Sequence, residues 1–127
     1  MSQEYRVRDV MLKTPVTVGE NESILVAVKK MAELNIGAIP VVDSEGKIVG
    51  IFTERDLLKR VVAKEVPLTT PIKEVMTRNP VTITPDATVE EAKELMAKIK
   101  ARHLPVVDKS GRLQGVVSLS DIELSTY

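Results

Sequence analysis

Two short segments hold the residues best suited to chemistry: "TERD" at Thr53–Asp56 and "SLSD" at Ser118–Asp121. In each, a hydroxyl stands three residues ahead of a carboxylate, just after an apolar run and at the start of a predicted helix. One reading is structural: the hydroxyl accepts the N–H of the third helical residue, and the acid sits at the positive end of the helix dipole. The other is a ligand site. Free N–H groups at a helix start and the hydroxyl would meet phosphate or sugar, and the carboxylate would accept two sugar hydroxyls. One Asp can serve both. A third candidate is Arg102–His103, where Arg offers a fork of donors to an anion and His adds another. Its structural alternative is a solvated pair at a strand start.

Other chemistry has little to stand on. His103 is the only histidine, and Cys is absent, so thiolate nucleophiles, thiolate metal ligands and disulfides are excluded. Triad catalysis needs a base, an activated hydroxyl and an orienting carboxylate as a set, and a metal site needs several clustered ligands. Neither pattern occurs, and the phosphate-loop spacings GxxxxGK and GxGxxG are missing. No catalytic residue and no metal site is expected. The 127 residues carry 18 basic and 18 acidic side chains, so no surplus of positive charge draws the chain to nucleic acid. No apolar run approaches a membrane span, and the first ten residues lack the apolar core of a signal peptide. The expected location is the cytoplasm, where the sequon at Asn21 stays idle.

The elements that must position these candidates are duplicated. "VRDVMLKTPVTV" from Val7 answers "IKEVMTRNPVTI" from Ile72, and "IPVVDSEGKIVGIFTERDL" from Ile39 answers "LPVVDKSGRLQGVVSLSDI" from Leu104. Both pairings keep one offset of 65 residues, as from Asp56 to Asp121. Pro15/Pro80, Pro40/Pro105, Gly46/Gly111 and Gly50/Gly115 are among the identical pairs. Helical spacing runs through Ile24, Ala27, Val28, Met31 and Leu34, and again through Val89, Ala92, Leu95, Met96 and Ile99. "TVEE" at Thr88–Glu91 is a capping box. Each unit therefore reads as short strand, helix, strand, glycine-closed turn, strand, helix. The methionines at 11, 31, 76 and 96 fall on apolar faces and read as core. Where one copy has Arg102 and His103 the other has Gly37 and Ala38, so two inequivalent sites are expected.

With those motifs in that order, the chain resembles a tandem pair of the cystathionine beta-synthase (CBS) domain family, from Val7 to Ile122. The resemblance implies an α+β fold of two CBS repeats. Each would be a small three-stranded sheet with two helices, packed sheet to sheet with pseudo-twofold symmetry. Repeat 1 is placed at 7–62, a linker at 63–71 and repeat 2 at 72–127. The family's two clefts commonly bind adenosine-containing ligands: AMP, ADP, ATP or S-adenosylmethionine.

Carried over by motif, the main cleft would combine Ile51, Thr53, Arg55 and Asp56 with Val81, Thr82, Arg102, His103 and Pro105. Asp56 would hold the ribose, with Arg102 and His103 on the phosphates. The second would combine Val116, Ser118 and Asp121 with Val16, Thr17, Ala38 and Pro40, with no basic residue at positions 37 and 38. The function expected is a regulatory, energy-sensing nucleotide module with no required cofactor. It would form a homodimer through its helices and pass its output to an effector protein that the sequence does not name. The rival is a ligand-free structural or interaction module stabilised by dimerisation.

Overall fold

A computed structural model describes residues 5–13 and 16–125; Pro15 and the last two residues of repeat 2 lie outside them. In chain order the elements are α1 (Val7–Val10), β1 (Leu12–Lys13), β2 (Val18–Gly19), α2 (Ile24–Leu34), β3 (Ala38–Val42), β4 (Ile48–Thr53) and α3 (Glu54–Asp56). A π-helical segment, Leu57–Val62, continues α3, and a single 3-10 turn, Ile72–Glu74, leads into β5 (Thr77–Arg78). Then come α4 (Val89–Ile99), β6 (His103–Val107), β7 (Leu113–Ser118) and α5 (Leu119–Ser125). This is the mixed α+β chain that the duplicated pattern predicts.

The compact units differ from the sequence repeats by one segment each. One unit is Val16–Pro80; the other joins the N-terminal segment to the chain from Val81 onward. Accordingly β1, from the first repeat, pairs antiparallel with β7 of the second, Leu12 opposite Val116. In the same way β5, from the second repeat, pairs antiparallel with β4 of the first, Ile51 opposite Thr77. The sheets run β1-β7-β6 and β2-β3-β4-β5. The segment 63–71 belongs to the 16–80 unit, where Thr70 and Leu68 accept the N–H groups of Ile24 and Leu25.

Apolar burial accounts for the exchange. Val7 is fully buried in the cluster formed by Val89, Ala92, Met96, Leu104, Val106, Val117 and Ile122. Ile72, Val75 and Met76 enter the other cluster, with Ile24, Met31, Ile39 and Phe52. Burying a side chain of this size contributes about 1.5–3 kcal/mol, enough to fix where so short a strand docks. Met31, Met76 and Met96 are buried and Met11 packs against the core, as their apolar positions predict.

Local chemistry sets the element ends. Ser23 Oγ and Thr88 Oγ1 accept the N–H groups of Val26 and Glu91, capping α2 and α4. Asn35 and Lys100, again 65 apart in sequence, close those helices in the left-handed conformation at φ 53° and 58°. Gly46 and Gly111 take φ of 81° and 83° in the hairpin turns. Beside the second turn, Ser110 Oγ at 2.7 Å and then the Arg112 N–H at 2.9 Å donate to Asp108, and hold its carboxyl below its ordinary pKa.

Gly50 and Gly115 are required by close approach. A Cβ at Gly115 would lie 2.5 Å from the Leu12 carbonyl oxygen, and one at Gly50 would lie 2.9 Å from that of Thr77. Two outcomes follow from these contacts. Gly115→Ala should destabilise the chain by about 1–3 kcal/mol in urea unfolding, because backbone of the incoming strand must move. Ser110→Ala should raise the titration midpoint of Asp108 toward the ordinary Asp value in carboxyl NMR.

Candidate functional site

In the 16–80 unit the helix-start motif closes on itself. Thr53 ends β4 in extended conformation, and its Oγ1 accepts the Asp56 N–H at 3.2 Å. The Asp56 carboxylate returns the bond, accepting the Thr53 N–H at 3.1 Å and the Thr53 hydroxyl at 3.2 Å. The structural reading of "TERD" is therefore realised as a reciprocal capping box.

Two further groups hold this carboxylate. Thr77, on the exchanged strand β5, donates its hydroxyl at 3.1 Å to Oδ1 and 3.2 Å to Oδ2. Arg60 Nε lies 3.5 Å from Oδ1, and another Arg60 nitrogen donates to the Met76 carbonyl at 2.8 Å. Asp56 is only 5% exposed, and these partners replace the water that burial removes from its oxygens. Neither Thr77 nor Arg60 was singled out from the sequence, where only the i, i+4 spacing of Asp56 and Arg60 hints at the ion pair.

The copy in the other unit is open. Ser118 Oγ accepts the Asp121 N–H at 3.0 Å, so the cap survives. But Leu12 stands where Thr77 does in the first copy, and Ser125 stands in the place of Arg60. Asp121 is half-buried, and its carboxylate has no donor among the described residues.

The remaining candidates occupy matching places. In the 16–80 unit Ala38 pairs with Thr53 and Pro40 with Ile51, while Arg55 is exposed on α3. In the other unit His103 opens β6 opposite Ser118, and Pro105 faces Val116. Arg102 lies just ahead of β6, exposed. Val16 and Val81 are exposed, with Thr17 and Thr82 half-buried beside them.

One expectation needs correction. The helix starts were read as offering free N–H groups to a phosphate, but two N–H groups of each first turn are already engaged. Glu54 donates to the Gly37 carbonyl and Leu119 to that of Arg102, while Asp56 and Asp121 donate to the capping hydroxyls.

The CBS domain model matches residues 7–63 and 72–123. The chain belongs to the CBS domain family. The CBS domain-containing protein YhcV of Bacillus subtilis is 38% identical over 119 residues, covering 94% of this chain and 84% of that protein. Among solved structures, the CBS domain pair of protein MJ0100, in complex with 5'-methylthioadenosine and S-adenosyl-L-methionine, is similar at a TM-score of 0.90. It shares 35% identity and covers 98% of this chain, which covers 97% of it. CBSX2 in complex with AMP is similar at a TM-score of 0.81 and 25% identity, with 96% of each chain covered. As a CBS pair, the chain carries two copies of one motif under different local constraints. No helix among the described residues is long and apolar enough to cross a membrane.

The network around Asp56 gives a direct expectation. Thr77→Val keeps the shape of β5 but removes one donor from a buried carboxylate. A loss of about 1 kcal/mol should follow in chemical denaturation. Leu12→Val, at the matching position beside Asp121, should leave stability within about 0.5 kcal/mol, since Leu12 is exposed.

Proposed function

We propose that this CBS pair is a regulatory module that binds an adenosine-containing ligand, with AMP, ADP and ATP as the first candidates and S-adenosylmethionine as another. The observation that carries the reading is the Thr53–Asp56 box, a carboxylate fixed in orientation at the end of β4. A carboxylate held this way has lost its rotamer freedom before a ribose diol arrives, so less is lost on binding. The ligands named for the similar MJ0100 pair and CBSX2 share an adenosine core, which supports the same class here.

In this reading the main cleft is formed by Ile51, Thr53, Arg55 and Asp56 with Val81, Thr82, Arg102, His103 and Pro105. Asp56 takes the ribose, and Arg102 with His103 takes the phosphate. The second cleft uses Val16, Thr17, Ala38 and Pro40 with Val116, Ser118 and Asp121. Binding would regulate by favouring one arrangement of the chain over another, which requires different affinities for the two. The output passes to an effector protein, through a homodimer formed by the helices.

A second reading, an interaction module without a small ligand, draws on other residues. Leu58 and Val62, on the π-helical segment next to Asp56, are 63% and 61% exposed, and Leu124 on α5 is 73% exposed. Thermal unfolding separates the two readings. Ligand at a hundredfold excess over Kd adds about 2.7 kcal/mol to the native state and should raise Tm by several degrees. No shift with AMP, ADP, ATP or S-adenosylmethionine would favour the interaction module. AMP binding that survived Asp56→Ala but was lost in Asp121→Ala would reverse the assignment of the main cleft.

A further inference from the structure

The 16–80 unit holds a cation that the motifs do not reveal. Lys30, on α2, is half-buried and donates its Nζ to the Thr17 carbonyl at 2.9 Å. Thr17 directly precedes β2, and the parallel register of Val18 with Val41 carries it alongside Pro40 on β3. Lys30 therefore reaches the Val16–Thr17 segment, which runs beside the strand that holds Ala38 and Pro40.

Its electrostatic state is incomplete. A carbonyl is a neutral acceptor and takes one of three ammonium protons. Among the described residues no carboxylate lies within the 4.0 Å that would make an ion pair with Lys30. A half-drawn-in ammonium beside neutral backbone gains from an anion that completes its shell.

A comparison of the two copies points the same way, independently. The residue that matches Lys30 is Leu95, which packs against the apolar cluster of its own unit. The residues that match Arg102 and His103 are Gly37 and Ala38. Each copy thus carries positive charge at one of two places: the strand start in one, the preceding helix in the other.

We propose that Lys30 is the anion-binding residue of the second site, taking the phosphate of an adenosine ligand held at Thr17, Ala38 and Pro40. This rests on the nucleotide reading above, and it supplies a cation to the site that has no basic residue at positions 37 and 38. It also distinguishes the sites by reach, because a flexible ammonium on a helix replaces an Arg–His pair on a strand.

The test is calorimetric titration with ADP and with adenosine, in a chain carrying Arg102→Gly and His103→Ala. That pair of changes gives the strand start of the first site the residues of the other copy and removes the Arg–His pair. ADP should still bind. Adding Lys30→Met should then weaken ADP about tenfold or more and change adenosine by less than about twofold, and Lys30→Arg should restore most of the ADP affinity. Loss of ADP binding with Lys30 intact, or ADP affinity unchanged by Lys30→Met, would overturn the inference. So would equal losses of ADP and adenosine, which would mark Lys30 as support for the Thr17 backbone only. Wild-type protein that binds neither ligand would overturn this inference, and failure to bind AMP, ATP and S-adenosylmethionine as well would overturn the nucleotide reading itself.

Discussion

The pairing of β5 with β4 is the constraint on which the candidate site depends. Two residues of strand, Thr77–Arg78, contribute little by their own hydrogen bonds, but they arrive with Ile72, Val75 and Met76 buried just ahead of them. Gly50 lets that backbone come close, and the Thr77 hydroxyl then reaches both oxygens of Asp56. Core packing, a missing Cβ and a polar contact therefore agree at one place. The same device operates at Gly115 and Leu12, without the polar contact.

The divergence between the copies is as informative as their likeness. Both keep the hydroxyl that caps the helix, because the first turn needs an acceptor wherever the chain leaves a strand. What differs is the surroundings of the carboxylate. Asp56 is held by Thr53, Thr77 and Arg60, while Asp121 keeps its acceptor capacity. The helix after Asp56 is also π-helical, whereas α5 after Asp121 is ordinary α-helix. Such π segments are rare and frequently lie at functional sites.

Much of this could be read in the sequence because local rules fixed it. The repeat, the helical periodicity of Ile24 to Leu34, the caps at Thr53 and Thr88, and the glycine turns each involve residues within a few positions of one another. The strand exchange could not be read in the same way. A two-residue strand has no period, and the apolar residues that dock it, Val7 and Ile72, fit a buried position in either unit. The partners of Asp56 were hidden for a related reason: Thr77 is 21 residues away in sequence and looks like an ordinary strand threonine. Lys30 sat on the polar side of an amphipathic pattern, where a lysine is unremarkable until the Thr17 carbonyl is found beside it.

A regulatory pair gains from such inequivalence. Two identical sites would respond to one ligand over one concentration range. In the proposed reading, sites that differ in how the carboxylate is held and where the cation is carried would respond differently to the same nucleoside and to its phosphates. A preset carboxylate loses little freedom on binding, whereas an open one must be ordered by the ligand. An Arg–His pair suits a forked contact to phosphate oxygens, and a lone ammonium is a movable point charge. Differential affinity is what moves a conformational equilibrium, so on the proposed reading sites of unequal build would let one chain report on the ratio of two related ligands as well as on the amount of either.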